Sequence, residues 1–113
     1  MDQRQRCIWL IGQLLREYPE YQDADEVDLP IPHDDDEQRQ LLRALQNVRP
    51  PAPVSERFLH VQDEYLGGML AQRAITDADD VPPAETLRSG ATLALWQGDI
   101  TTLRCDAIVN AAN

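Results

Sequence analysis

Eight prolines divide this chain, and their positions constrain its fold more than any other feature. Pro19, the pair Pro30 and Pro32, the cluster Pro50, Pro51 and Pro53, and the pair Pro82 and Pro83 leave three long proline-free stretches before residue 82. Proline has no N–H to give a helix or sheet interior, and it biases its predecessor away from helical geometry. Each stretch must therefore be read as its own element.

The three stretches read as helices. In the first, Ile8, Ile11, Leu14, Leu15 and Tyr18 recur at three- and four-residue steps, predicting an amphipathic helix over about residues 4–18 that Pro19 ends. Residues 20–32 are acidic and proline-punctuated, a loop. The run "DDDEQRQLLRALQNV" opens a second helix. Asp34 has the spacing to cap it, with Glu37 reaching back, and acidic charge sits at the positive end of the helix dipole. Its expected buried stripe is Leu41, Leu42, Leu45 and Val48. After "RPPAPVS", Ser55 caps a third helix with the stripe Phe58, Leu59, Gln62, Tyr65, Leu66, Met69 and Leu70. Gly67 and Gly68 weaken that helix by about 1 kcal/mol each relative to alanine.

The character changes after "TDADDVPPAETLRSG". "ATLALWQ" alternates and predicts a strand near residues 91–98. "DAIVN" is short and apolar, as a strand buried on both sheet faces would be, and predicts a second strand near 106–110. Seven residues separate the runs, with no two-residue hairpin signal between them.

Composition excludes several classes of function. The formal net charge is −10, and all ten basic residues are arginine. Such a balance repels nucleic acid and anionic membranes. No apolar run approaches the roughly 20 residues of a membrane span. The opening "MDQRQRCIWLIGQLLREY" reads as an amphipathic helix rather than a signal peptide, since Gln13 and Arg16 interrupt it and no cleavage site follows. Cys7 and Cys105 form no metal or redox pair in sequence, which suits free thiols in a cytoplasmic protein. A length of 113 residues supports one modest domain and not two.

The stretch "WQGDITTLRCDAIVNAAN" resembles the opening of a macrodomain, the fold that binds ADP-ribose. Two motifs carry the resemblance, Gly-Asp-Ile-Thr and Asp-Ala-Ile-Val leading into Asn-Ala-Ala-Asn, in this order and at this separation. Upstream, "LLRALQNVRPPAPVSERFLHVQDEYL" resembles the helical extension of the zinc-containing macrodomains. Members of that subfamily remove ADP-ribose from modified proteins, and some are encoded beside sirtuin-type transferases. The resemblance implies an α/β fold, a three-layer α/β/α body when complete. Residues 1–88 would be the helical extension and 89–113 the first two strands of the macrodomain. The family continues past this point, so the expectation is the front portion of a longer protein, inactive by itself.

The resemblance also assigns roles. Asp99 would accept from the adenine exocyclic amine, and the Ile100 N–H would reach a ring nitrogen. Ala111 and Ala112 would keep the approach clear. Asn113 would contact the ribose distal from adenine and would be the one catalytic residue of this stretch. Zinc is implied for the complete family member, but Cys7, Cys105, His33 and His60 show no ligand spacing, so none is expected to bind here. The partners implied are ADP-ribose or an ADP-ribosylated protein, with a sirtuin-type transferase in the same system. Read without the resemblance, Asp99 is a turn-former or cap, and Asn110 and Asn113 form a strand-end turn. The alternative function is a non-catalytic helical interaction module or a truncated remnant. Asp34, Asp35 and Asp36 read as a solvated cap rather than a cation site, and Trp96 as a packing residue.

Overall fold

The computed structural model describes residues 1–111. The chain divides into two units, Met1–Met69 and Leu70–Asn113.

The first unit is made of the helices α1 (Gln3–Leu15), α2 (Asp35–Val48) and α3 (Glu56–Ala71), the last of which runs two residues past the boundary at Met69. Helix α1 starts with a reciprocal capping box. The Asp2 carboxylate accepts from the Gln5 N–H at 2.8 Å, and the Gln5 carboxamide accepts from the Asp2 N–H at 2.8 Å. The helix ends at Leu15, earlier than its periodicity suggests. Glu17 and Tyr18 donate instead to Leu14 and Leu15 in tighter bonds, and Pro19 holds Tyr18 extended. As expected, Asp34 caps α2, accepting from the N–H groups of Asp36 and Glu37 at 3.0 Å. No bond returns from the Glu37 carboxylate among the described residues. Asp35 pairs with Arg4 and Asp36 with Arg39, so all three acidic side chains are spent on the cap and its surroundings. Ser55 caps α3 through its hydroxyl, which accepts from the Phe58 N–H at 3.1 Å. Helix α3 runs through Gly67 and Gly68 without a break.

The core is contributed by Cys7, Leu10, Ile11, Leu14 and Leu15 of α1, Leu29 of the first loop, Leu42 and Leu45 of α2, and Phe58, Val61 and Tyr65 of α3. Five residues expected on buried faces are exposed, the first being Tyr18, which lies past the end of α1. Val48 is exposed, and so are Leu59, Leu66 and Leu70. Cys7, Leu10 and Val61 take core places instead, because Phe58, Val61 and Tyr65 form one row on α3 while Leu59, Leu66 and Leu70 form another. Gln38 is buried on α2 and satisfied, its amide donating to the Pro32 carbonyl at 2.7 Å. That bond fastens the acidic loop to the helix that follows it.

In the second unit the strands are short. Strands β1 (Thr76–Asp77) and β4 (Leu103–Arg104) pair in parallel, Thr76 opposite Leu103 and Asp77 opposite Arg104. Strands β2 (Pro83–Thr86) and β3 (Thr92–Ala94) form an antiparallel hairpin with a bulge between Pro83 and Glu85. Gly90 sits at φ +89°, a left-handed position that favours glycine, and its N–H closes the turn onto the Leu87 carbonyl at 3.0 Å. The strand expected near 91–98 is thus present in shortened form as β3, paired with a partner the sequence did not announce.

The second expected strand, residues 106–110, does not form. Ile108 and Val109 are 53% and 92% exposed. A strand apolar on both faces is held by ladders to neighbours on each side, and among the described residues none pairs with this run. No described residue from Leu70 onward is buried. Among the described residues no helix is long and apolar enough to cross a membrane.

Candidate functional site

The turn that follows the "WQG" segment is built around one carboxylate. Trp96 is half-buried rather than part of the core, and its indole lies over Gly98. A Cβ at Gly98 would stand 2.5 Å from the Trp96 ring, so a larger residue there would require the indole to move. Asp99 then caps a single 3-10 turn, Ile100–Thr102, that leads directly into β4.

Asp99 is engaged on both oxygens. Its Oδ1 accepts from the Thr101 N–H at 2.9 Å and from the Thr101 hydroxyl at 2.7 Å. Its Oδ2 accepts from Arg73 Nη1 at 3.2 Å. The Asp99 carbonyl closes the turn, taking the Thr102 N–H at 2.9 Å and the Thr102 hydroxyl at 2.6 Å. The side-chain and backbone hydrogen bonds from Thr101, and then the Arg73 charge, hold the Asp99 carboxyl below the usual carboxylate range. The group is an anion at neutral pH, accessible to solvent, on a turn with fixed geometry.

Of the five residues assigned to ligand contact, Asp99 and Ile100 lie together at this turn, with the Ile100 side chain half-exposed. Ala111 is exposed and outside any strand, and no hydrogen bond joins it to the Asp99 turn among the described residues. Ala112 and Asn113 lie outside the described residues. Thr101 closes the Gly-Asp-Ile-Thr motif but was assigned no role, and Arg73 lies outside both motifs. Thr101 follows from Asp-x-Thr turn chemistry, whereas no local signal marks Arg73, which stands 26 residues away in sequence.

Among the described residues, neither cysteine stands in a cluster of metal-ligating side chains. Cys7 is buried in the helical core, where desolvation pushes its thiol up while a hydrogen bond with Tyr65 opposes that shift. The Cys105 thiol is exposed and faces the Leu103 carbonyl. Among the described residues no three His, Cys, Asp or Glu side chains converge as a metal site would require.

No protein-family profile matches the chain. Over all 113 residues it is 50% identical to a protein-ADP-ribose hydrolase from Treponema medium, spanning 41% of that protein. Over 108 residues, 96% of the chain, it is 43% identical to a protein-ADP-ribose hydrolase from Staphylococcus aureus, spanning 37% of it. A probable bifunctional ADP-ribose hydrolase/ADP-ribosyltransferase from Fusarium oxysporum f. sp. cubense is 37% identical over 79 residues, which is 65% of this chain and 13% of that protein. The chain thus spans about two fifths of the length of the first two relatives.

Proposed function

We propose that this chain is part of a protein-ADP-ribose hydrolase, in which it supplies a helical unit and the turn that reads the adenine base. The observation that carries the reading is the 50% identity to a protein of that name along the entire chain. The segment from about residue 89 opens a macrodomain in this reading. The Asp99 carboxylate accepts from the adenine amine, a task suited to an acceptor-only group at a turn, and the Ile100 N–H meets a ring nitrogen. Ala111 and Ala112 leave room for the ligand, and Asn113 donates and accepts toward the hydroxyls of the distal ribose as the catalytic residue of this stretch.

These residues bind and orient; they do not by themselves cleave the bond. A pyrophosphate needs several converging N–H donors, and the turns formed by the described residues from Leu70 onward are short, among them Ala78–Asp80 and Ile100–Thr102. Zinc, in this reading, is held by other residues of the complete protein, and no step is assigned to it here. The substrate is an ADP-ribosylated protein, so an ADP-ribosyl transferase, of sirtuin type in this proposal, must act before it. Two free thiols fit a reducing compartment, and we place the protein in the cytoplasm.

The test is to incubate an ADP-ribosylated protein with the full-length enzyme and, separately, with residues 1–113, and to measure free ADP-ribose by mass spectrometry. Release is expected from the full-length enzyme and not from residues 1–113. No release by the full-length enzyme with zinc supplied would remove the hydrolase reading and favour the helical interaction module. Release by residues 1–113 would show that this segment alone suffices.

A further inference from the structure

The reading of Asp99 as the adenine acceptor leaves open what aims its carboxylate. Parallel pairing of β1 with β4 sets Thr76 beside Leu103, so the segments entering the two strands run side by side. Arg73 lies three residues before Thr76 and Asp99 four before Leu103, which brings guanidinium and carboxylate into contact.

The hydrogen-bond inventory of the carboxylate is nearly closed. Each oxygen has two lone-pair sites. Both sites of Oδ1 are taken, by the N–H and the hydroxyl of Thr101. Arg73 Nη1 takes one site of Oδ2 and also reaches the Thr101 hydroxyl oxygen at 3.5 Å, completing a three-residue ring. Among the described residues this leaves one acceptor site on Oδ2. One site is what a single N–H of an exocyclic amine requires.

We infer that Arg73 is a positioning and specificity-determining residue, which fixes Asp99 so that a single oxygen faces the base and selects a 6-amino over a 6-oxo purine. Thr101 restrains the carboxylate at Oδ1 only, which leaves it some freedom to turn about the Cβ–Cγ bond, a motion that carries both oxygens together. The guanidinium removes that freedom by holding Oδ2 from the opposite side. A 6-oxo base would bring a carbonyl against this oxygen, acceptor against acceptor, and be rejected. The inference rests on the proposed role of Asp99, and its test separates the two.

The experiment compares binding of ADP-ribose and of its hypoxanthine analogue, inosine diphosphate ribose, to the full-length protein by calorimetry. Wild type, Arg73→Gln, Arg73→Lys and Asp99→Ala are measured at one ionic strength. Arg73 is 46% exposed, so its substitutions are made at the surface. Wild type is expected to prefer the adenine ligand, and Arg73→Gln to reduce that preference about two- to fivefold, the scale of an exposed ion pair. Arg73→Lys, which keeps the charge, is expected to restore most of it. Asp99→Ala is expected to abolish the preference. If Asp99→Ala abolishes it while Arg73→Gln leaves it intact, the positioning role is overturned and the Asp99 reading stands. If Asp99→Ala leaves it intact, the Asp99 reading falls and the inference with it.

Discussion

Replacing Leu10 with alanine is expected to destabilise the helical unit by about 2–5 kcal/mol, the largest single effect at any position considered. Leu10 is fully buried at the centre of α1, among core residues supplied by α1, α2 and α3. Truncation removes apolar area that folding had withdrawn from water, and it leaves a cavity that three packed helices close only in part. A domain of this size has a total stability of about 5–15 kcal/mol, so much of it would go. Val48→Ala provides the contrast. Its side chain is 68% exposed, and the cost should stay within about 0.5 kcal/mol. Urea denaturation followed by far-UV circular dichroism measures both. Equal costs at the two positions would contradict the helix faces described above.

Asp99→Ala is expected to weaken ADP-ribose binding by the full-length protein by about 1–3 kcal/mol, because the adenine amine then meets no acceptor. Alanine also removes the cap of the 100–102 turn, so a second substitution is needed. Asp99→Asn keeps an oxygen for the Thr101 N–H but can present an amide N–H₂ toward the base, donor against donor. It should lose affinity comparably while preserving the turn. The pH dependence has a definite sign. Because Thr101 and then Arg73 lower the Asp99 pKa, the carboxylate persists as the solution is acidified. Affinity should therefore hold through the ordinary carboxylate range and fall only as pH drops through the lowered pKa. Calorimetric titration of wild type and both variants reads all three outcomes. Unchanged affinity in Asp99→Asn would end the assignment of this residue.

The helices were legible because their signals are local. Proline stops, a capping aspartate and serine, and apolar repeats lie within a few residues of what they determine. Which face turns inward was less legible where apolar residues occupy two rows. Leu59 and Leu66 have the same spacing as Phe58 and Tyr65, and only packing against α1 and α2 selects the row containing Phe58. Polar burial left no trace in the pattern either, since Gln38 is buried by virtue of a carbonyl at Pro32. The strands were hardest. Thr76–Asp77 and Pro83–Thr86 are brief, polar or proline-bearing, and they exist through pairing rather than propensity. Residues 106–110 show the reverse case: strong strand composition without a paired neighbour forms no strand. At the site, the Asp99 turn could be read from Asp-Ile-Thr, whereas Arg73 reaches it only because two remote segments pair in parallel.

The proposed function stands or falls with the reading of the adenine of ADP-ribose by the Asp99 turn. A crystal structure of the full-length protein with ADP-ribose bound tests it most directly. The adenine amine is expected about 3 Å from Asp99 Oδ2, with Arg73 still bonded to the same oxygen and the Ile100 N–H on a ring nitrogen. Adenine bound elsewhere, with Asp99 holding only Thr101 and Arg73, would contradict it and leave this aspartate as a turn cap.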